Sequence, residues 1–367
     1  MSEALVPFID RIRTAVRNER PYIVDGAFDA VKIKLNQNEV PWDVPAALKD
    51  ELMDRFREAA FNRYPYEQPR QLKKALADYN GVDPEAILVG NGSNELVQTL
   101  GLAFLEPGAP LVLPTPMFSL YTMVGRLFDA NLIAVPPRSD LRFDIPAICA
   151  AVRKNDPVLT VLTTPNNPTG LTLSLEEIEA VMAEAKGFVL VDEAYVEFSD
   201  QTSAQRVLDK YPNMLLIRTL SKAFGLAGLR IGYLMGHPAL IGEILKARVP
   251  FMVDRLSEAA GLTMLAHREL LADRVQQLKT AMAEMTAAMD AMPGVEVVPG
   301  QANFLIFKTP LPATEVMQLL AAEGVLVRNM SGYPELPDFL RVNAGSTDEN
   351  QAFLKALEKA ICTPKHT

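Results

Sequence analysis

The 367-residue sequence predicts an α/β fold, with a large domain built on a mostly parallel sheet flanked by helices and a smaller α+β domain. Three observations predict it. The chain is too long for one domain of typical size. Short apolar runs with β-branched residues alternate with helical patterns from about residue 86 to 235, which is typical of a parallel sheet covered by helices. From about residue 238, long helical stretches replace that alternation.

The large domain is predicted over residues 38–255. Six apolar runs within it are expected to form strands: AILVG, APLVLP, VLTVLTT, GFVLVDE, MLLIRT and RIGYLM. Helices are predicted between them over 93–104, 174–186 and 203–210. Strand, helix and strand in succession form right-handed crossover units, which place the strands side by side.

The smaller domain is predicted to combine residues 1–37 with 256–367. One amphipathic helix is expected over 268–292, where it connects the two domains and ends at Pro293-Gly294. The runs VEVV, ANFLIFKT, GVLVRN and FLRVNAG follow as strands, with helices near 314–323 and 348–361. The N-terminal 35 or so residues are expected to dock on this domain.

The composition argues against several classes of protein. With 36 basic and 45 acidic residues the net charge is −9, which disfavours nucleic acid and anionic membranes as partners. Two cysteines and three scattered histidines give neither a disulfide framework nor a metal-ligand spacing. The start MSEALVPFIDRIR lacks the apolar core of a signal peptide, and no run is long enough to span a bilayer. We therefore expect a cytoplasmic protein.

Polar and aromatic residues follow the first predicted strands, at the edge where open parallel sheets bind ligands. Gly92, Ser93 and Asn94 begin a helix, where free backbone N–H groups can hold a phosphate. Phe118 follows APLVLP and offers a ring for stacking, and Asn167 lies in a rigid turn after VLTVLTT. Taken singly, each also has a structural explanation, as a capped turn, a core aromatic and an Asn-Pro turn.

The next two strand ends carry charged side chains. Asp192 and Tyr195 follow FVLV, and Lys222 follows MLLIRT. Three further polar residues lie close to Lys222 in the sequence: Thr219, Ser221 and Arg230. Singly, Asp192 could cap the following helix and Lys222 could be a solvated surface residue. A lysine among apolar neighbours and near other cations, however, can act as a nucleophile toward a carbonyl.

Together these residue types fit pyridoxal phosphate, a carbonyl cofactor that needs a phosphate cradle, a stacking ring and an acidic partner for its ring nitrogen. Lys222 would form a Schiff base with it and, once displaced by a substrate amine, act as the base at the substrate Cα. Asp192 would keep the pyridine nitrogen protonated, while Asn167 and Tyr195 would hydrogen-bond the ring 3-oxygen. The residues available for the phosphate are Ser93, Asn94, Thr219, Ser221 and Arg230.

The motifs PNNPTG, VDEAYVEF and RTLSKAFGLAGLRIGY resemble those of the fold type I, class II pyridoxal-phosphate aminotransferases. Further matches extend over nearly the whole chain: PYIVDG, KLNQNE, RYPYEQP, GNGSNE, PTPMFSLY, GVLVRN and FLRVNAG. The resemblance implies an aspartate-aminotransferase-like fold and the cofactor contacts named above, with Phe118 as the stacking aromatic. It also implies a homodimer in which Tyr64 reaches the cofactor phosphate of the neighbouring subunit.

The resemblance further implies a small-molecule amino donor and a 2-oxo acid as substrates. The expected reaction is transamination of histidinol phosphate with 2-oxoglutarate to imidazole-acetol phosphate and glutamate, in histidine biosynthesis. Four positions match the family's substrate-binding residues: Tyr22, Asn36, Arg328 and Arg341. The segments NEVPWD and YIVDG depart from the common pattern near the substrate side. An aromatic amino acid aminotransferase, a pyridoxal-phosphate decarboxylase acting on a phosphorylated amino acid, and a non-catalytic ligand sensor remain alternatives.

Overall fold

The structure is a computed structural model that describes residues 6–21 and 31–362. The α-helices of the described part are α1 Val6–Ile9, α2 Thr14–Arg17, α3 Ala46–Arg57, α4 Arg70–Asn80, α5 Gly92–Phe104, α6 Ser119–Leu127, α7 Ile145–Asn155, α8 Leu175–Glu184, α9 Pro238–Leu245, α10 Arg255–Ala266, α11 Arg268–Asp290, α12 Ala313–Ala322 and α13 Thr347–Cys362. Short 3₁₀ helices cover Pro84–Ala86, Val196–Phe198, Ala204–Lys210 and Ala227–Leu229.

The strands of the described part are β1 Ile33–Lys34, β2 Ile87–Asn91, β3 Pro110–Pro114, β4 Asn131–Val135, β5 Leu159–Thr163, β6 Phe188–Asp192, β7 Met214–Thr219, β8 Ile231–Gly236, β9 Glu296–Val298, β10 Phe304–Lys308, β11 Val325–Leu326, β12 Arg328–Asn329 and β13 Leu340–Asn343. Seven of them form one sheet in the order β2-β8-β7-β6-β5-β3-β4. Its strands are parallel except for β8, which runs antiparallel to β2 and β7. The predicted mostly parallel α/β architecture is confirmed.

Helices cover the seven-stranded sheet on both faces, and the apolar runs that predicted its strands are buried. All six residues of β7 are buried. Met214 and Leu216 pack into one hydrophobic cluster, whereas Leu215 and Ile217 pack into another. Because successive side chains of a strand point to opposite faces, these two clusters lie on the two sides of the sheet.

Helix caps follow from local sequence. In α8, Ser174 accepts a hydrogen bond from the Glu177 N–H, and the Glu177 carboxylate accepts one from the Ser174 N–H. In α7, the Asp144 carboxylate accepts from the Ala147 N–H at 3.0 Å. These caps set the start of two helices that pack against each other over the sheet.

The C-terminal part forms a four-stranded antiparallel sheet in the order β12-β13-β10-β9. The long helix predicted over 268–292 is α11, and helices α12 and α13 pack against each other. The run GVLVRN, predicted as one strand, is divided between two sheets: β11 pairs with β1, and β12 pairs with β13. The proposed domain boundaries after residues 37 and 255 stay a prediction.

The described N-terminal residues, expected to dock on the smaller domain, contact both parts of the molecule. Residues 33–35 pair with β11, but Glu19 forms a bidentate ion pair with Arg126 of α6, which covers the seven-stranded sheet. Arg13 donates to the Leu127 carbonyl at 2.7 Å beside it. These contacts, which the sequence pattern did not reveal, place the segment from Arg13 to Glu19 against helix α6 of the large domain. Over residues 6–21 and 31–362, no helix is long and apolar enough to cross a membrane.

Candidate active site

A cavity of about 600 Å³ lies where β5, β6 and β7 end, between the seven-stranded and four-stranded sheets. Parallel strands present their carboxyl ends at one edge, so residues distant in sequence meet there. Thirteen of the predicted site residues line this cavity: Asn36, Ser93, Asn94, Phe118, Asn167, Asp192, Tyr195, Thr219, Ser221, Lys222, Arg230, Arg328 and Arg341. Asn167, Asp192, Tyr195 and Lys222, which were expected from the sequence to converge on one cleft, all line this cavity.

Three predicted site residues do not line the cavity. Gly92 is buried at the first position of α5, directly before the lining residue Ser93. Tyr64 is 81% exposed and stacks on Phe251 with ring centroids 4.9 Å apart, so it does not reach the cavity of its own chain. Tyr22 lies outside the described residues.

Lys222 projects into the cavity from the loop after β7. Its Nζ donates to the Gln37 carbonyl at 2.9 Å and lies 5.7 Å from the centre of the Tyr195 ring. Burial lowers the pKa of Lys222 to about 7, and the positive charges of Arg341 and Arg230 act in the same direction. An amine with this pKa is substantially unprotonated at neutral pH, as a nucleophile or a general base must be.

Asp192 ends β6 at the floor of the cavity. Burial raises its pKa to about 6, while hydrogen bonds from the Tyr121 hydroxyl at 2.7 Å and from the Ala194 N–H at 3.0 Å oppose that rise. A partly buried carboxylate favours a cationic partner, because a positive charge compensates for the lost hydration. A protonated ring nitrogen of a bound cofactor would be such a partner.

The third group is a cradle for an anion at the start of α5. Arg230 has the left-handed φ of +49° and donates to the Ser221 hydroxyl at 3.4 Å. A side chain at Gly92, whose φ is +74°, would put its Cβ 2.4 Å from Nη2 of Arg230. Only glycine there lets the guanidinium reach the helix N-terminus, where backbone N–H groups and the helix dipole favour a phosphate.

Arg341 and Arg328 form a second cationic wall, on the four-stranded sheet. They are directly opposite each other in the pairing of β12 with β13. Arg341 is buried and donates to Asn167 Oδ1 at 2.5 Å and to the Asn36 carbonyl at 2.9 Å. Like charges opposite each other in a sheet are destabilising, so this pair favours an anion bound between or beside the guanidinium groups.

The side chains of Tyr121 and Asn38 contact predicted site residues, although neither was itself predicted as a site residue. Tyr121 holds Asp192, and the Asn38 amide donates to the Tyr195 hydroxyl at 2.9 Å. Both residues stand inside quoted motifs, PTPMFSLY and KLNQNE, but spacing does not reveal which motif residue contacts a side chain from another strand. Only the packing of α6 and of segment 36–39 against the sheet brings them there.

Comparison with known proteins agrees with this arrangement. A sequence model of the family described as aminotransferase class I and II matches residues 30–357. The histidinol-phosphate aminotransferase of Chlorobaculum tepidum is 42% identical over 348 residues, covering 95% of this chain and 99% of that protein. The enzyme of the same name from Prosthecochloris aestuarii is 41% identical, covering 92% and 94%.

A solved structure has the same fold. The histidinol-phosphate aminotransferase of Sinorhizobium meliloti, crystallised in complex with pyridoxal-5'-phosphate, superposes with a TM-score of 0.87 over 96% of this chain and 97% of that one, at 23% identity. A mutant aspartate aminotransferase of Thermus thermophilus also superposes, with a TM-score of 0.77 over 93% of this chain and 100% of that one, at 22% identity. The aspartate-aminotransferase-like fold expected from the sequence is thereby confirmed. On the strength of the family match and the two relatives above 40% identity, the chain belongs to the class I and II aminotransferases.

Proposed function

We propose that this protein is a pyridoxal-phosphate-dependent aminotransferase that transfers the amino group of histidinol phosphate to 2-oxoglutarate, giving imidazole-acetol phosphate and glutamate. The reaction belongs to histidine biosynthesis, and the low cysteine content is consistent with the proposed cytoplasmic location. The observation that carries the substrate is the cross-strand pair of Arg328 and Arg341. Arg230 also lines the cavity and provides a second, separate cationic site. One site would bind the phosphate of the substrate and the other the phosphate of the cofactor.

The residues present fit the cofactor. Lys222 Nζ is the amine that would hold its aldehyde, and the Asp192 carboxylate would hold the proton on the pyridine nitrogen. Asn167 and Tyr195 would hydrogen-bond the ring 3-oxygen, and Phe118 would stack on the ring. The phosphate would meet the remaining group: Gly92, Ser93, Asn94, Thr219, Ser221 and Arg230.

The bound cofactor supplies an electron sink for the pair of electrons left on the substrate Cα when its proton is removed. Lys222 Nζ is the base proposed to take that proton, and its pKa of about 7 suits it both to accept and to return a proton at neutral pH. Asp192 keeps a proton at the ring nitrogen. Arg341, Arg328 and Asn36 orient the substrate by its anionic group, and Tyr22 is proposed to assist them.

The proposal includes a homodimer. Tyr64 and Phe61 are 81% and 73% exposed, and Val249, two residues before the Phe251 that stacks on Tyr64, is 64% exposed. Large apolar side chains grouped on a surface mark an interface. In the dimer, Tyr64 is proposed to reach the cofactor phosphate of the partner. Sedimentation should give twice the chain mass, and Tyr64→Phe should weaken cofactor retention without dissociating the dimer.

The test is the visible absorption spectrum of protein reconstituted with pyridoxal phosphate. Histidinol phosphate should deplete the visible band of the lysine-bound cofactor, and 2-oxoglutarate should restore it. Depletion by phenylalanine but not by histidinol phosphate would instead select an aromatic amino acid aminotransferase. Release of carbon dioxide from a phosphorylated amino acid would select a decarboxylase. A protein that binds the cofactor but converts no amine would be a ligand sensor.

A further inference from the structure

Glu95 and Arg248 form a largely buried ion pair at the start of α5. Nε of Arg248 donates to both carboxylate oxygens of Glu95, at 3.1 and 3.3 Å. The side chain of Arg248 is 1% exposed and that of Glu95 is 13% exposed. Glu95 directly follows Ser93 and Asn94, which line the cavity. A charge pair shielded from water in this way interacts more strongly with neighbouring charges than a surface pair does.

The Glu95 carboxylate closes the turn between β2 and α5. Its Oε2 accepts a hydrogen bond from the Asn91 N–H at 3.1 Å, and its Oε1 accepts one from the Thr99 hydroxyl at 2.8 Å. A Cβ at Gly90 would lie 2.7 Å from Oε2, so glycine at that position leaves room for the carboxylate. The turn held by Glu95 leads directly into the helix start that is proposed to hold the cofactor phosphate.

A carboxylate at this position opposes the binding of an anion unless its charge is compensated. The N-terminus of a helix attracts a phosphate through its partial positive charge. Glu95 lies in the first turn of α5, and its full negative charge would offset that attraction. Arg248 supplies the opposite charge from outside the helix, in the segment between α9 and α10.

We propose that Arg248 is a positioning residue for the phosphate cradle. It compensates the charge of Glu95, so that the carboxylate can hold the turn before α5 without repelling the phosphate of the cofactor. The inference rests on the proposed cofactor site. In the described part of the chain, Arg248 lies outside the set of residues that line the cavity, so it acts only through Glu95.

The test is a fluorescence titration of the cofactor-free protein with pyridoxal phosphate and, separately, with pyridoxal, which lacks the phosphate. Arg248→Met removes the positive charge and leaves the Glu95 carboxylate uncompensated. It should weaken pyridoxal phosphate binding by about tenfold, because an unpaired negative charge near a phosphate dianion is repulsive. The affinity for pyridoxal should change by less than about twofold, because that ligand carries no anionic group.

Glu95→Gln in the Arg248→Met background separates charge from structure. The glutamine amide oxygen can still accept from the Asn91 N–H, but it carries no charge. The double variant should therefore bind pyridoxal phosphate within about threefold of the native affinity. It lacks the same arginine, so a loss caused by a changed surface at Val249 and Phe251, or by a weaker dimer, would persist in it.

If the unpaired charge prevents Arg248→Met from folding, the single variant Glu95→Gln gives the same information. It retains Arg248 without its carboxylate and should bind pyridoxal phosphate about tenfold more tightly than the double variant does, with no difference for pyridoxal. Arg153→Met is the control, because it breaks an exposed ion pair with Glu184. It should leave both affinities unchanged.

An equal loss of affinity for both ligands, or a loss that persists in the double variant, would refute the role of Arg248. Either result would indicate a changed structure rather than an uncompensated charge. Native affinity for pyridoxal phosphate in Arg248→Met would refute it as well. Failure of the proposed function looks different: the native protein would then bind pyridoxal phosphate, but histidinol phosphate would not deplete the visible band. A native protein that does not bind pyridoxal phosphate would overturn both.

Discussion

Replacing Lys222 by methionine should make the cofactor-free protein more stable, and more so at pH 7 than at pH 9. The lysine is held among buried groups and two arginines, an arrangement that serves reactivity at the expense of folding. Methionine has similar length and no charge. The variant therefore removes an electrostatic penalty while it fills nearly the same space.

The size of the effect follows from linkage. The folded pKa, about 7, lies below the ordinary value of 10.5, so the unfolded chain binds more protons between these two pH values. Stability of the native protein thus rises with pH across that window. At pH 7 a fully buried Lys222 would destabilise the folded protein by about 4 kcal/mol. We take about 3 kcal/mol for this electrostatic penalty, because the side chain is partly accessible from the cavity.

Loss of the hydrogen bond to Gln37 offsets about 1 kcal/mol of this gain. The expected net stabilisation is then roughly 2 kcal/mol at pH 7. At pH 9 Lys222 is already mostly neutral in the folded protein, so the electrostatic penalty is about half as large. After the lost hydrogen bond is subtracted, the expected net stabilisation is roughly 0.5 kcal/mol.

The assay is urea denaturation of the cofactor-free proteins at pH 7 and pH 9, at one fixed protein concentration. Lys74→Met is the matched control, because the Lys74 side chain is 69% exposed and its ion pair with Asp78 lies on the surface of α4. It should change stability by less than about 0.5 kcal/mol at either pH. A destabilised Lys222→Met protein, or a difference independent of pH, would refute the reasoning.

Three further substitutions probe the buried ion pair of Glu193 with Arg218, the anion cradle at the start of α5 and the proposed substrate-binding residue Arg341. Glu193→Gln should lower the free energy of unfolding by about 3 kcal/mol, measured in urea, because it leaves the buried Arg218 charge without its carboxylate. Gly232→Ala should weaken pyridoxal phosphate binding at least about tenfold in a fluorescence titration, because the new Cβ would lie 2.3 Å from the Ser93 nitrogen. Arg341→Gln should raise the KM for histidinol phosphate by about 100-fold in steady-state kinetics.

Each of these changes has a control of the same chemistry elsewhere in the chain. Glu184→Gln breaks an exposed pair with Arg153 and should cost less than about 1 kcal/mol. Gly242→Ala has open space around its Cβ and should leave cofactor affinity unchanged. Arg138→Gln removes an exposed arginine and should not alter KM. A control as damaging as its partner variant would contradict the corresponding explanation.

The local pattern of the sequence was sufficient for much of the architecture and for most of the site. Short apolar runs with β-branched residues identified six strands of the seven-stranded sheet, because burial on both faces demands continuous apolar side chains. Asp192 and Lys222 could be placed at the same edge because both follow such strands in parallel order. The amphipathic pattern of α11 likewise gave its length almost to the residue.

Other features depended on contacts between distant segments. The strand β4 has an exposed or half-exposed surface at four of its five residues, so its pattern lacked the apolar signal of its neighbours. The reversed direction of β8 and the division of GVLVRN between two sheets depend on which edges are free for pairing, a property of the assembled sheets.

The sequence by itself determined the residue types and the strand ends at which they stand. Only the tertiary structure decided which polar atoms meet: the Tyr121 hydroxyl with Asp192, the Asn38 amide with Tyr195, and Arg341 with Asn167. The physical reason is that hydrogen bonds require donor and acceptor within about 3 Å. Sequence spacing sets such distances within one helix or strand, whereas packing sets them between elements.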